Sequence, residues 1–309
     1  MEKIVDDIIL KYYGNKPEEI KPLGGGFYGR VFFAKINKPP YNLIVKIYLF
    51  PKLAMKEATQ LEILRKYSLV KMPIVYHVFE CDNLIQNDIL LMEYIPGINA
   101  GTKNLSITKE NFINITNLIV DNLISYHNII NEKGFGEINS INYELNWNNY
   151  YKKKAEEIMM KAEKMFVSGK INEKIISIMN KAIKHFDKIF YLPICTARLI
   201  HGDYNTWNVL LDKQLTKVEA IIDPMNCSWA DSELDLYQLN NANGKDYSLL
   251  EKYASKFKLS ENYKIKIAFY EIFNEIMHFH DANIDTGCNM DRFNQEANDL
   301  NKQMQIIGI

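Results

Sequence analysis

The chain has 309 residues, 47% of them hydrophobic and 24% charged, and its 37 basic and 38 acidic residues leave a net charge of −1. This is the composition of an ordinary soluble globular protein, and it excludes a global basic field that would recruit nucleic acid or an acidic membrane surface. The length allows one large domain or two modest ones with a sizeable core. Four cysteines, Cys81, Cys195, Cys227 and Cys288, are scattered without a C-x-x-C pair. They point to reduced thiols in a cytosolic protein rather than a disulfide framework or a zinc site. The N-terminus, Met-Glu-Lys-Ile-Val-Asp-Asp, is too acidic for a signal peptide, and no apolar run approaches the length of a membrane span. A soluble, cytoplasmic protein is the expectation.

Residues 2–13 carry a helical period that ends at Gly14, a residue suited to a helix stop. Within 21–31, Gly24, Gly26 and Gly29 fall in the order G-x-G-x-x-G, with Val31 two places beyond the last glycine. Such glycines let a hairpin backbone close over phosphate groups without side chains in the way. A plain turn satisfies the same pattern, and so does a dinucleotide-binding turn. The dinucleotide case needs a helix after the glycines, whereas 31–36 is a β-rich run. That favours the phosphate-covering hairpin.

After turn residues 37–40, the segment 41–48 reads as a strand with Lys46 near its end. One lysine in an apolar strand suits a contact to nucleotide phosphates; an edge-strand lysine in water is the alternative. Residues 55–67 read as a helix with Glu57, Leu61 and Leu64 on one face. Glu57 therefore points with the leucines and needs a partner, for which Lys46 is the natural candidate. A role for Glu62, or a merely solvated Glu57, stays open. Residues 89–97 form an apolar strand broken by Pro96-Gly97, where the β-rich segment ends. In a kinase architecture this is the hinge, whose backbone near Glu93 and Ile95 would bond an adenine edge.

Thr108 is placed to cap a helix with Phe112, Ile115, Ile119, Leu123 and Tyr126 along one stripe, and with His127 at its end as a structural residue. Residues 147–168 and 171–190 read as two amphipathic helices joined near Gly169, with lysine-rich faces in solvent. Further helices are predicted over 246–281 and 291–306. The only β alternation predicted after residue 100 is a pair of short strands, 209–211 and 218–222.

Those strands frame the most informative stretch. His201, Asp203, Asn208 and Asp223 follow the order of a kinase catalytic loop: His-x-Asp, an Asn five residues after the Asp, and a metal-binding Asp after the next strand. Phosphoryl transfer needs a carboxylate to take the acceptor hydroxyl's proton and oxygen ligands to hold Mg²⁺ against the phosphates. Asp203 suits the first task, Asn208 and Asp223 the second. A plain turn is the competing reading of Asp-Tyr-Asn-Thr, because these residue types favour turns anyway.

Together these residues resemble the aminoglycoside phosphotransferase and fructosamine kinase-like group of the protein-kinase-like fold. The likeness rests on His201-Gly202-Asp203, with Gly where protein kinases carry Arg, and on Asp223-Pro224, where a protein kinase has Asp-Phe-Gly. The run 231–236, Asp-Ser-Glu-Leu-Asp-Leu, is similar to the segment that follows in fructosamine kinases. The resemblance implies an α+β, bilobal fold with a small β-rich nucleotide-binding lobe over 1–96 and a larger, mainly helical catalytic and acceptor-binding lobe over 97–309. It implies ATP and Mg²⁺ as cofactors, Asp203 as base, and Asn208 and Asp223 as metal ligands. Gly24, Gly26, Gly29, Val31, Lys46, Glu57, Glu93 and Ile95 would then hold the nucleotide, with Glu57 paired to Lys46. Asp235 would anchor the catalytic loop from below rather than touch substrate. The glycine loop is fuller than in many aminoglycoside enzymes, and Lys46 and Glu57 are closely spaced. No Ala-Pro-Glu follows Asp223, which argues against a protein kinase.

The implied acceptor is a hydroxyl-bearing small molecule, an aminoglycoside, a fructosamine or a related sugar or amino alcohol, with no nucleic-acid or membrane partner. Glu233, Glu271, Glu275, Asp281 and Asp285 are carboxylates available to a cationic acceptor, each reading as solvated surface. The alternative from another class is a nucleotide-binding pseudokinase that acts as scaffold or sensor without turnover.

Overall fold

The computed structural model describes residues 1–81, 86–284 and 289–309; Asp285 and Cys288, named above, lie outside the described residues. The first strands are β1 (Glu19–Gly25), β2 (Gly29–Lys35), β3 (Asn42–Tyr48), β4 (Val75–Phe79), β5 (Ile89–Glu93) and β6 (Ile98–Asn99), with helices α1 (Glu2–Tyr13) and α2 (Leu53–Arg65) among them. Helix α3 (Lys109–His127), strands β7 (Ile130–Asn131) and β8 (Gly136–Glu137), and helices α4 (Trp147–Val167), α5 (Glu173–Lys184) and α6 (Phe186–Ile189) follow. Then come β9 (Ala197–Ile200), β10 (Val209–Leu211), β11 (Val218–Ile221) and β12 (Ser228–Ala230), and finally α7 (Leu249–Lys256), α8 (Tyr263–Asp281) and α9 (Met290–Ile306). The chain forms two compact units, 1–118 with 207–225, and 119–206 with 226–309.

In the first unit a five-stranded antiparallel sheet has the order β1-β2-β3-β5-β4. Strand β3 is central and buried on both faces from Leu43 to Tyr48, so Lys46 is not the edge-strand lysine of the alternative reading. Helix α1 buries Val5, Ile8 and Ile9, one stripe of its surface, against Phe32, Ala34, Val45, Ile47 and Leu91 of the sheet. It ends where its pattern predicts, with Gly14 left-handed at φ 76° and its N–H on the Leu10 carbonyl. At Gly29 a Cβ would lie 2.8 Å from the Ile47 carbonyl oxygen, so the β2–β3 pairing has room for glycine alone there. A second sheet, β11-β10-β6, joins the hairpin after residue 207 to the Pro-Gly segment.

The second unit is mainly helical. Helix α8 packs on α4 and α9, and an aromatic core of Trp147, Tyr151, Phe186, Phe190, Phe269 and Tyr270 fills the space between neighbours at ring distances of 4.3–6.5 Å. One expectation is corrected here. A four-stranded sheet, β7-β9-β12-β8, exists where no further β structure was expected. Its strands are two to four residues long, too short to show an alternation. The helical stretch expected over 246–281 is present as two helices, α7 and α8, and between them the Ser260 N–H and hydroxyl both go to the buried Glu233 carboxylate at 2.6 and 2.7 Å.

Candidate active site

The first unit holds every predicted site residue except Asp203, and it brings Lys46, Glu57 and Asp223 into contact. Lys46 projects from the central strand, and its Nζ donates to Glu57 Oε2 at 2.6 Å and to Asp223 Oδ1 at 2.5 Å. Glu57 and Lys46 are both buried, whereas the side chain of Glu62 is 68% exposed beside Lys66. The helix that carries both glutamates therefore turns Glu57 inward, as its spacing to Leu61 and Leu64 requires. Burial works against the Lys46 charge, but Asp223 and Glu57 outweigh it and raise its pKa above the ordinary lysine value. Burial pushes Glu57 upward against the pull of Lys46.

Asn208 ends a short 3-10 turn, Thr206–Asn208, directly before β10. Its carbonyl accepts the Ile222 N–H at 2.9 Å, so the β10–β11 hairpin sets Asn208 opposite the residue that precedes Asp223. Asp223 sits in the left-handed region at φ 55°, a conformation Asp tolerates better than most side chains, and its side chain is 48% exposed. One carboxylate and one amide carbonyl are hard oxygen donors that fit Mg²⁺, which takes one or two protein oxygens and completes its shell with phosphate and water. Among the described residues no group of three or more His, Cys, Asp or Glu side chains could hold a metal alone.

Gly24 and Gly29 lie in the paired strands β1 and β2, and Gly26 in the turn between them. The Arg30 guanidinium donates back to the carbonyls of Gly26 and Gly29 at 2.7 and 3.0 Å and fastens this turn. Val31, opposite both Gly24 and Lys46, is half-buried. At the end of β5, Glu93 donates its N–H to the Ile74 carbonyl at 2.8 Å. Ile95 packs with Leu210, Ala220 and Ile222 in a small apolar cluster.

The second unit holds His201, Asp203 and Asp235. The buried Asp235 carboxylate accepts the N–H of His201 and that of Gly202, each at 2.7 Å, and meets His127 Nε2 at 3.3 Å. Gly202, at φ 84°, makes the bend that presents two successive N–H groups to one carboxylate. His127 also bonds the Tyr253 hydroxyl at 2.7 Å and is fully buried, a structural histidine. Beyond the bend the Asp203 carboxylate accepts from Asn205 Nδ2 at 2.7 Å. The buried Tyr204 hydroxyl donates to the Ile119 carbonyl at 2.8 Å and accepts from Asn122 at 3.1 Å, pinning the loop to α3.

Sequence reasoning did not single out Arg30, Tyr48 or Tyr204. For Tyr48 the strand period gives only its face, shared with Lys46, and not its bond to Glu57. The carboxylates expected on solvated surface divide. Glu233 and Glu275 are buried, the first bonded to Ser260 and Lys266, the second to Arg292 at 2.7 Å. Asp281 pairs with Lys161 at 2.6 Å. Burial pushes Glu271 up to about 7, with Arg292 pulling the other way.

A β-rich unit with a glycine hairpin and a Lys–Glu–Asp chain, followed by an Asp-anchored His-Gly-Asp loop, defines a kinase-like fold. Solved structures share it. A protein of Haemophilus somnus 129PT assigned as a fructosamine-3-kinase matches with a TM-score of 0.69 at 16% identity, over 100% of this chain and 98% of that one. A thermostable mutant of the aminoglycoside phosphotransferase APH(4)-Ia, in ternary complex with ADP and hygromycin B, matches with a TM-score of 0.68 at 11% identity, over 98% of each chain. The chain belongs to the phosphotransferase enzyme family, whose family model matches residues 19–254. It is also 22% identical over 238 residues to the uncharacterized protein YcbJ of Escherichia coli K12, over 77% of this chain and 78% of that one.

Proposed function

We propose that this phosphotransferase is an ATP- and Mg²⁺-dependent kinase that moves the γ-phosphoryl group to a hydroxyl of a small molecule. An aminoglycoside, a fructosamine or a related sugar or amino alcohol is the acceptor class. The observation that carries the reading is the buried Lys46, bonded at once to Glu57 and to Asp223. A strand lysine paired with a helix glutamate beside a half-exposed Asp matches the lysine–glutamate pair and metal-binding Asp that kinases use at the phosphates. Complexes of a fold relative with ADP and hygromycin B support both the nucleotide and the hydroxyl-rich acceptor.

In this reading the glycine hairpin over Gly24, Gly26 and Gly29, with Val31 behind it, covers the phosphates. Backbone groups of Glu93 and Ile95 take the base edge, and the apolar cluster of Ile95, Leu210, Ala220 and Ile222 faces its ring. Lys46, kept in place by Glu57, orients the phosphates. Asn208 and Asp223 hold Mg²⁺, which when bound neutralises charge on the phosphate oxygens. Asp203 accepts the proton of the acceptor hydroxyl as that oxygen forms its bond to the γ-phosphorus, and the bond to the β-phosphate oxygen breaks to release ADP. Asp235 acts through the loop, holding its backbone. The proposed division has a nucleotide-binding lobe over 1–96 and a catalytic and acceptor-binding lobe over 97–309, with 97–118 and 207–225 packed in the same compact unit as the first lobe and adding the metal residues and the ring-facing side chains. A cytoplasmic location fits the cysteine usage, and among the described residues no helix is long and apolar enough to cross a membrane.

The test is Mg²⁺-dependent ADP release from ATP over a panel of aminoglycosides, fructosyl-amines, choline, methylthioribose and simple sugars, with Asp203→Ala in parallel. A positioned base contributes about 10²–10⁴-fold to rate, so the variant should lose that factor while its melting temperature holds. Turnover unchanged in Asp203→Ala would sink the mechanism.

A further inference from the structure

Tyr48 lies two residues past Lys46 on β3, so both side chains leave the strand on the same face. Its hydroxyl donates to Glu57 Oε2 at 2.6 Å, the same oxygen that Lys46 Nζ reaches at 2.6 Å. The Lys46 ammonium sits 5.4 Å from the centroid of the Tyr48 ring, within range of a cation–π contact. The tyrosine itself is fixed: it is buried, its N–H donates to the Asp88 carbonyl at 2.9 Å, and its carbonyl accepts from Asn87 Nδ2 at 2.9 Å. One side chain thus touches both members of the lysine–glutamate pair.

The hold on Glu57 is narrow. Its other oxygen, Oε1, is buried with no hydrogen-bond partner, so both donors converge on a single atom. Helix α2 starts at a left-handed Lys52 without a side-chain cap, which leaves its N-terminal turn no tether of that kind. Lys46, meanwhile, divides its donors between Glu57 and Asp223. In the kinase reading above, Asp223 would hold a metal and Lys46 would face phosphates, so the lysine would give up one of its two carboxylates. Its aim then depends on Glu57 alone, and Glu57 depends on whatever else holds it.

We propose that Tyr48 is a positioning residue for nucleotide binding, fixing Glu57 through its hydroxyl so that Lys46 stays aimed at the phosphates once Asp223 is engaged by metal. This rests on the reading of Lys46 as the phosphate-orienting lysine given above. The burial that holds the Tyr48 phenol well above its ordinary pKa keeps it a hydrogen-bond donor throughout the working pH range.

The experiment is calorimetric binding of Mg–ATP to the full-length protein, its Tyr48→Phe and Glu57→Gln variants and the double variant, with a melting temperature for each. Phenylalanine keeps the ring and removes only the hydroxyl. A hydrogen bond to a charged group predicts about tenfold weaker Mg–ATP binding in Tyr48→Phe. Because the tyrosine acts through Glu57, the double variant should bind no worse than Glu57→Gln alone. Losses that add in the double variant would overturn the proposal, as would wild-type affinity in Tyr48→Phe. A Tyr48→Phe protein partly unfolded at the assay temperature would overturn it too, since the tyrosine would then be structural. Wild-type protein that binds no Mg–ATP would overturn the kinase reading and this proposal with it, a result distinct from one in which only Tyr48→Phe fails to differ.

Discussion

Replacing Asp235 with asparagine tests how the His-Gly-Asp loop is held. The carboxylate offers Oδ2 to the His201 N–H and Oδ1 to the Gly202 N–H, both at 2.7 Å, and it is buried. An asparagine has one carbonyl oxygen, so whichever way its amide turns, one backbone N–H faces an NH₂ group instead of an acceptor. The loss is a charge-assisted bond worth about 1.5–3 kcal/mol, together with the cost of a buried donor left unmade, about 1–3 kcal/mol. A net destabilisation of about 3 kcal/mol is expected. At about 2–4 °C per kcal/mol for a unit of this size, the melting temperature should fall by about 6–12 °C. Hydrogen exchange locates the effect: the His201 and Gly202 amides should lose protection before those of α4 or α8, and turnover should fall as Asp203 loses its fixed approach. A melting temperature within about 2 °C of wild type, with both amides still protected, would refute the reasoning.

Lys266 is 2% exposed and bonds Asp231 and Glu233 at 2.7 Å each, so Lys266→Met strands two buried carboxylates and should cost about 3–5 kcal/mol in urea unfolding. Lys152→Met, which breaks the exposed pair with Asp187, should stay within about 1 kcal/mol of wild type in the same assay. Burial, reinforced by the neighbouring Glu275 charge, pushes Glu296 up to about 8 from an ordinary 4.5. The folded protein therefore holds a proton that the unfolded chain releases, and stability falls as pH rises from 4.5 towards about 8. Glu296→Gln removes that titration, so its melting temperature should gain on wild type between pH 5 and pH 9; parallel profiles would contradict the assignment.

Much of the candidate site was legible because its logic is local. Asp203, Asn208 and Asp223 stand at intervals set by one loop and one hairpin, and Glu57 shares a helix face with Leu61 and Leu64, so spacing alone pointed it inward. The glycine pattern named a hairpin because a β-rich run and not a helix follows it. What spacing could not reach was the meeting of distant segments. Lys46 and Asp223 are 177 residues apart, and their 2.5 Å bond depends on the hairpin after residue 207 joining the first compact unit. The strands of β7, β8, β9 and β12 are too short for a periodic signal and form by pairing with one another.

By itself, then, the order of residues determined which groups are available for the proposed chemistry: a candidate base, two candidate oxygen ligands, a lysine and a glycine turn, because each depends on residue type and short-range geometry. Tertiary structure decided which charges are paired and buried. Glu233 reads as surface from its neighbours in sequence, yet it is closed in by Lys266 and Ser260. Tyr48 reads as one more apolar strand residue, yet its hydroxyl is spent on Glu57. Burial and partner choice are properties of packed elements, and no local pattern carries them.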